Sequence, residues 1–111
     1  MVVLFCGKRG EIMYISMQCS DNSGMLNTEI TTFYGIRYVP RFRSAVISTE
    51  HMNHDYVIPM TPQDYEAAVK QINDAMKAHA TMIVIEKGIV CRGRKGEIRN
   101  VEPQKLTIVA V

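Results

Sequence analysis

Residues 61–79 read TPQDYEAAVKQINDAMKAH, and this stretch decides the fold because it carries the clearest helical pattern in the chain. Thr61 is suited to cap a helix, and Pro62 is suited to its first position, where a missing N–H costs nothing. The apolar side chains recur at steps of three and four residues and form one stripe: Tyr65, Ala68, Val69, Ile72, Ala75, Met76 and His79. We predict one amphipathic helix over about residues 62–79, with the charge of His79 suited to the negative helix end.

Most of the remaining sequence is patterned for β-strands. Residues 12–19 alternate between apolar and polar side chains, and residues 27–39 are rich in Thr, Phe, Tyr and Ile. Gly35 inside the second run is a candidate β-bulge. Lys87-Gly88 predicts a two-residue hairpin turn between two short strands. The apolar run over residues 106–111 predicts a terminal strand that pairs within a sheet.

One helix among many strands predicts an α+β fold. We expect an antiparallel sheet of about six to eight strands, with the helix packed on one face. The helix is too small to cover the sheet, so we expect the sheet to curl strongly or to be covered by a second subunit. The second case makes the protein a homo-oligomer. The length of 111 residues predicts a single domain over residues 1–111.

Composition excludes several classes of protein. Apolar residues make up 47% and charged residues 22%, so a disordered or collagen-like chain is excluded. A net charge of +2 is too small for a bulk polycation. No apolar stretch approaches the roughly 20 residues that a membrane span needs, so no membrane association is expected. Three cysteines without a Cys-x-x-Cys pair argue against a disulfide framework and favour a cytoplasmic location.

Residues 33–43, FYGIRYVPRFR, carry the strongest functional signal. Four of the eight aromatic residues and three of the seven arginines lie there, and no acidic residue occurs from position 30 to position 49. Aromatic faces stack on nucleobases and arginines hold phosphates, so the mixture is typical of single-stranded nucleic-acid or nucleotide binding. The residues that we expect to contact such a ligand are Arg37, Tyr38, Arg41 and Arg43.

The alternative interpretation of this segment is structural. One set of its side chains would then be core, and the arginines would form a solvated edge that discourages aggregation. Strict alternation places Tyr34, Ile36 and Tyr38 on one face of the strand, and Phe33, Gly35 and Arg37 on the other.

A second signal is a repeated Gly-basic-basic-Gly pattern followed by Glu-Ile. It occurs at residues 7–12 and again at residues 93–98. We predict a turn in each copy, the first joining residues 2–6 and 11–19 as a hairpin. Such turns are often only solvent-exposed hairpin tips, but glycine-flanked turns can also present backbone N–H groups to phosphates. The basic residues that we expect to support ligand binding are Lys8, Arg9, Arg94 and Lys95.

Residues 50–55, EHMNHD, hold the third signal. His51 and His54 are weak candidates for a metal site or an acid–base pair, because a zinc site needs further ligands at regular spacing and none is evident. No nucleophile motif is present, no cofactor is indicated, and a catalytic role is disfavoured. The leading hypothesis is a small non-catalytic protein that binds single-stranded nucleic acid or a nucleotide-like ligand. The alternative is a protein–protein interaction module, such as a small inhibitor or regulator of a larger enzyme, acting as a homo-oligomer.

Overall fold

The computed structural model describes residues 3–5, 12–21, 23–94 and 103–111, with residues 3–5 described as backbone only. The elements, in chain order, are β1 (Val3–Phe5), β2 (Met13–Ser20), β3 (Leu26–Val39), a 3-10 turn (Pro40–Phe42), β4 (Ser44–Thr49), β5 (His54–Pro59), α1 (Pro62–Lys77), β6 (Met82–Arg94) and β7 (Thr107–Ala110). The predicted pairing of the C-terminal strand is confirmed, because β7 pairs with β6.

Five of these strands pair in a closed ring. The pairs β2–β3, β3–β4, β4–β5 and β5–β6 are antiparallel, and β6 returns to β2 in parallel. A ring with an odd number of strands cannot alternate direction throughout, so one parallel pair is required. β1 adds to β3, and β7 adds to β6. The predicted α+β fold is confirmed: a largely antiparallel, strongly curled sheet with one helix packed against it.

The helix forms as its sequence predicts and ends slightly earlier. The Thr61 hydroxyl accepts a hydrogen bond from the Asp64 N–H at 3.1 Å, which caps the first turn. The helix ends at Lys77, and His79 lies two residues beyond with a positive φ of 56°. A residue in the left-handed conformation commonly ends a helix in this way, so His79 belongs to the termination rather than to the last turn.

The core fills the inside of the ring, and the helix closes one of its ends. Tyr65 of α1 donates a hydrogen bond to the Ile36 carbonyl at 3.2 Å, and its ring lies 5.3 Å from that of Tyr38. We call this the helix end of the barrel. At the opposite end, which we call the open end, β2 and β6 finish and β3 and β5 begin. There the Arg92 guanidinium contacts the Glu29 carboxylate at 2.9 Å.

Two glycines shift the strands in ways that sequence alternation does not show. The bulge predicted at Gly35 is present, because the register between β3 and β4 shifts between Phe33 and Gly35. The turn predicted at Lys87-Gly88 is wrong. β6 continues through these residues without a turn. The pairing register of β6 with β2 shifts in this region, and Gly88 adopts a φ of 118°. The two short strands expected on either side are therefore one bulged strand.

The hairpin predicted between residues 2–6 and 11–19 is also wrong. The neighbours of β2 are β3 and β6, and β1 pairs with β3 over Arg37 to Gly35 instead. The turn expected at residues 7–10 lies outside the described residues. β3 is long enough for β1 and β2 to pair with it one after the other, and this explains why two adjacent strand patterns do not imply a hairpin.

Candidate basic stripe on strand β3

The exposed aromatic and basic side chains of the 33–43 segment follow one another along β3 and the turn after it, and we call this set the basic stripe. Its members are Tyr34, Arg37, Arg41, Phe42 and Arg43. Tyr34 lies outside the barrel by alternation from the buried Phe33, and the bulge at Gly35 then turns Ile36 inward. After the bulge the alternation resumes with Arg37 outside. The stripe is therefore a product of the bulge and of the turn that follows it.

The turn after β3 presents the last three members. Pro40 starts a 3-10 turn, and the Arg43 N–H donates to the Pro40 carbonyl at 3.1 Å. Arg43 has a φ of 49°, in the left-handed region, and its carbonyl accepts from the Met60 N–H at 3.1 Å. The Arg41 guanidinium carbon lies 5.5 Å from the centre of the Phe42 ring, within cation–π range. The backbone is held at both ends while the side chains stay exposed.

The surroundings of the stripe contain little negative charge. The β4 partners of β3 at this level run from Thr49 to Ser44, and none of them carries a charge. Within the described part of the chain, Arg37, Arg41 and Arg43 take part in no ion pair. Three cations that form no ion pair with described residues make this surface locally positive, although Asp55 lines the groove beside Arg37 and the whole chain carries only +2.

Tyr38 occupies a different place from the one that strict alternation predicts. Its side chain is 6% exposed, its ring packs on Tyr65, and its hydroxyl donates to the Met60 carbonyl at 2.9 Å. The structure thus places the predicted contact residue Tyr38 in the core, where its ring and hydroxyl already have partners. The exposed rings of the segment are those of Tyr34 and Phe42 instead. Gly35, whose bulge changes which side chains face inward, is the sequence feature that could have indicated this.

A groove of about 380 Å³ lies beside Tyr34 and Arg37. It is also lined by His51, His54 and Asp55 from the β4–β5 connection and the start of β5. The two imidazole rings lie 6.3 Å apart, edge to face. Among the described residues, no group of three or more His, Cys, Asp and Glu side chains is arranged to hold a metal ion. The structure therefore adds no support to the weak metal candidates, and the histidines are walls of a groove that continues from the stripe.

Of the four supporting basic residues, the described part of the chain includes Arg94, which lies away from the turn that carries Arg41 and Arg43. Arg94 lines a second depression of about 340 Å³ at the open end, together with Asp21, Ser23 and Arg92. His54 lines both depressions, so the two adjoin. Arg41 and Arg43 lie at the helix end, since the Arg43 carbonyl accepts a hydrogen bond from Met60, two residues before α1. Lys8, Arg9 and Lys95 lie outside the described residues.

The polar cluster beside the second depression has a structural role. The Glu29 carboxylate accepts hydrogen bonds from Arg92 at 2.9 Å and from the Tyr56 hydroxyl at 3.3 Å. Burial and the nearby Glu29 charge raise the pKa of the Cys19 thiol to about 12, and the same two causes raise the pKa of Tyr56 to about 12. The hydrogen bond to Glu29 raises the pKa of Arg92. A thiol with so high a pKa is a poor nucleophile, so Cys19 is not a catalytic candidate.

Among the described residues, no helix has the length and apolar character needed to cross a bilayer. Comparison with known proteins finds no family model, no curated protein and no solved structure that matches this chain. The function therefore has to be argued from the geometry of the basic stripe.

Proposed function

We propose that this chain is a small non-catalytic protein that binds single-stranded nucleic acid, or a nucleotide-like anion, through the basic stripe. The observation that carries the proposal is that residues 34–43 expose two aromatic rings and three arginines, which take part in no ion pair among the described residues. Arginines neutralise phosphates and aromatic faces stack on unpaired bases, whatever the base sequence. We place this activity in the cytoplasm, a location supported by the free thiols of Cys19 and Cys91.

The arrangement favours a single strand over a duplex. β3 rises by about 3.3 Å per residue, so Tyr34 and Arg37 lie roughly 10 Å apart along the strand, and the turn extends the surface further. Rings interleaved with cations suit bases that are unstacked from one another. The groove beside Tyr34 and Arg37 offers room for a base or a sugar next to the phosphate contacts. Nothing in this surface resembles a helix presented to a major groove.

The test is a fluorescence anisotropy titration of a labelled mixed-sequence single strand with the protein at 50 and 200 mM salt. Three phosphate contacts predict a slope of about −2 in log K against log salt, which is about a 20-fold loss of affinity over this range. Absence of binding at 50 mM salt would discard nucleic acid as the partner. A mononucleotide titrated by calorimetry then tests the remaining nucleotide-like ligand.

A protein partner is the alternative outcome of this test. The chain would then be an interaction module, such as a small inhibitor or regulator of a larger enzyme, acting as a homo-oligomer. The observation that favours it is a set of exposed apolar side chains: Tyr14 on β2, Ile30 on β3, and Ile12 just before β2. Binding through an apolar surface is nearly insensitive to salt, so the salt series separates the two cases.

A further inference from the structure

The connection between β4 and β5 places two imidazoles side by side on the rim of the groove. The His51 N–H donates a hydrogen bond to the Thr49 hydroxyl at 3.0 Å, and the His54 N–H donates to the His51 carbonyl at 3.3 Å. These bonds hold a turn over residues 51–54, which we call the histidine turn. Both histidines are exposed, and their rings lie 6.3 Å apart, edge to face. Two exposed imidazoles at this distance are close enough to contact one phosphate group.

The histidine turn lies across β4 from Tyr34. Ile36 of β3 pairs with Ile47 of β4, and Ile47 pairs with Tyr56 of β5. β3 and β5 run in the same direction, because both are antiparallel to β4. Tyr34 and His54 each precede this row by two residues, so they lie at about the same level on either side of β4, roughly 10 Å apart. Both line the groove of about 380 Å³.

A single strand that follows the basic stripe reaches the histidine turn at the Tyr34 end of the stripe. All three arginines of the stripe follow Tyr34 in the chain, so they lie on one side of a base stacked on its ring. A nucleotide within a strand carries a phosphate on each side of its sugar. Arg37 is the nearest stripe cation to one of these phosphates. The other phosphate lies beyond the arginines, and the histidine turn is beside it.

The charge of the histidine turn depends on pH. Among the described residues, the charged side chains around the turn are Arg37 from β3, Glu50 directly after β4, Asp55 from β5, Arg92 and Arg94 from β6, and Asp21 after β2. Arginines and carboxylates keep their charges between pH 8 and pH 5.5, whereas imidazoles gain protons in this range. The groove therefore becomes more positive by up to two charges as the pH falls.

We propose that the histidine turn, when its imidazoles are protonated, binds one further phosphate of the single strand, so that affinity rises as the pH falls from 8 to 5.5. This inference rests on the proposed function and extends its site by one phosphate beyond Tyr34. A protonated imidazole can donate from both ring nitrogens, and it neutralises a phosphate as an arginine does. One such cation contributes about fivefold to affinity at 0.1 M salt, and two contribute about 25-fold.

Anisotropy titrations of the labelled mixed-sequence single strand at pH 8 and pH 5.5, each at 50, 100 and 200 mM salt, test this inference. At 100 mM salt the parent should bind about 5- to 25-fold more tightly at pH 5.5, with a salt slope steeper by about 0.7–1.4. His51→Asn/His54→Asn should lose this gain. His79→Asn is the matched control, because His79 is the remaining histidine and lies exposed just after α1. Asparagine tolerates its left-handed backbone, and this variant should keep the gain.

The outcomes separate this inference from the proposed function. Absence of binding at both pH values and 50 mM salt would overturn both. Binding at pH 8 that gains less than about twofold at pH 5.5 would keep the basic stripe as the site and overturn the role of the histidine turn. A full gain in His51→Asn/His54→Asn, shown by circular dichroism melting to be folded, would also overturn that role.

NMR of the parent protein tests the same contact without a variant. At pH 5.5 the imidazole C–H signals of His51 and His54 should shift when the single strand is added, and those of His79 should not. Signals of His51 and His54 that stay in place while the strand binds would overturn the inference.

Discussion

Removal of two arginines from the basic stripe should weaken nucleic-acid binding by a factor that the structure allows us to estimate. Arg41 and Arg43 are exposed, take part in no ion pair among the described residues, and are two of the three cations of the stripe. Each phosphate contact on a single strand contributes about 0.7 to the salt slope, and so about 0.7 to log K at 0.1 M salt. The double variant Arg41→Ala/Arg43→Ala should therefore bind about 25-fold more weakly at 0.1 M salt.

The same substitution should change the salt dependence. With only Arg37 left, the slope of log K against log salt should fall from about −2 to about −0.7. Arg43 has a left-handed backbone, but alanine carries a Cβ as arginine does, so the backbone strain is unchanged. The free energy of unfolding should therefore stay close to that of the parent.

The matched control removes the same charge elsewhere. Lys70 and Lys77 are exposed residues of α1 and are not members of the stripe. Lys70→Ala/Lys77→Ala lowers the net charge by two, as the arginine double variant does. Anisotropy titrations of the parent and both variants at three salt concentrations give affinities and slopes. If the two double variants lose affinity equally, the binding reflects net charge alone and the stripe is not the site.

Three further predictions follow from the packing and electrostatics. Tyr34→Leu should weaken single-strand binding by about 1–3 kcal/mol through loss of one stacked base. Tyr14→Leu is the matched control, because Tyr14 is 44% exposed and Tyr34 is 43% exposed, and it should leave anisotropy titrations unchanged. Gly88→Ala should lower the free energy of unfolding in urea by about 1–3 kcal/mol, because alanine is strained at a φ of 118°, whereas the Leu106 side chain can move away from the new Cβ; a loss below 0.5 kcal/mol would contradict this. Because the folded-state pKa of Cys19 is raised from about 9 to about 12, unfolding releases a proton above pH 9, so stability measured by urea unfolding should fall between pH 9 and pH 12, and less steeply in Cys19→Val.

The helix and the buried face of β2 could be predicted because their periodicity is continuous. The stripe of α1 and the alternation from Met13 to Cys19 both persist in the structure. A pattern of this kind fails where the backbone adds a residue. Strict alternation across Gly35 groups Tyr38 with Tyr34 on one face, whereas the bulge leaves Tyr34 exposed and puts Tyr38 in the core.

The second failure of prediction has the same physical origin. Lys87-Gly88 has the composition of a two-residue turn, and the positive φ that makes glycine suitable for turns is present. The strand nevertheless continues, because β2 pairs with it before and after the slip, and Gln104 bonds both the N–H and the carbonyl of Ile89 at 2.8 Å. These partners are distant in the chain, so a local pattern cannot reveal them.

The parallel pair that closes the ring also sets the order in which the fold can be completed. β2 and β6 join positions as far apart as Tyr14 and Met82, whereas the pairs from β2 to β5 join neighbours along the chain. Contacts between distant positions form late, because the loop-closure entropy is lost before they are gained. During synthesis one edge of β2 therefore stays unpaired until β6 has emerged from the ribosome. Unpaired strand edges promote aggregation. We expect a chain that stops after α1 to remain an open sheet that needs a chaperone, rather than to form a smaller barrel.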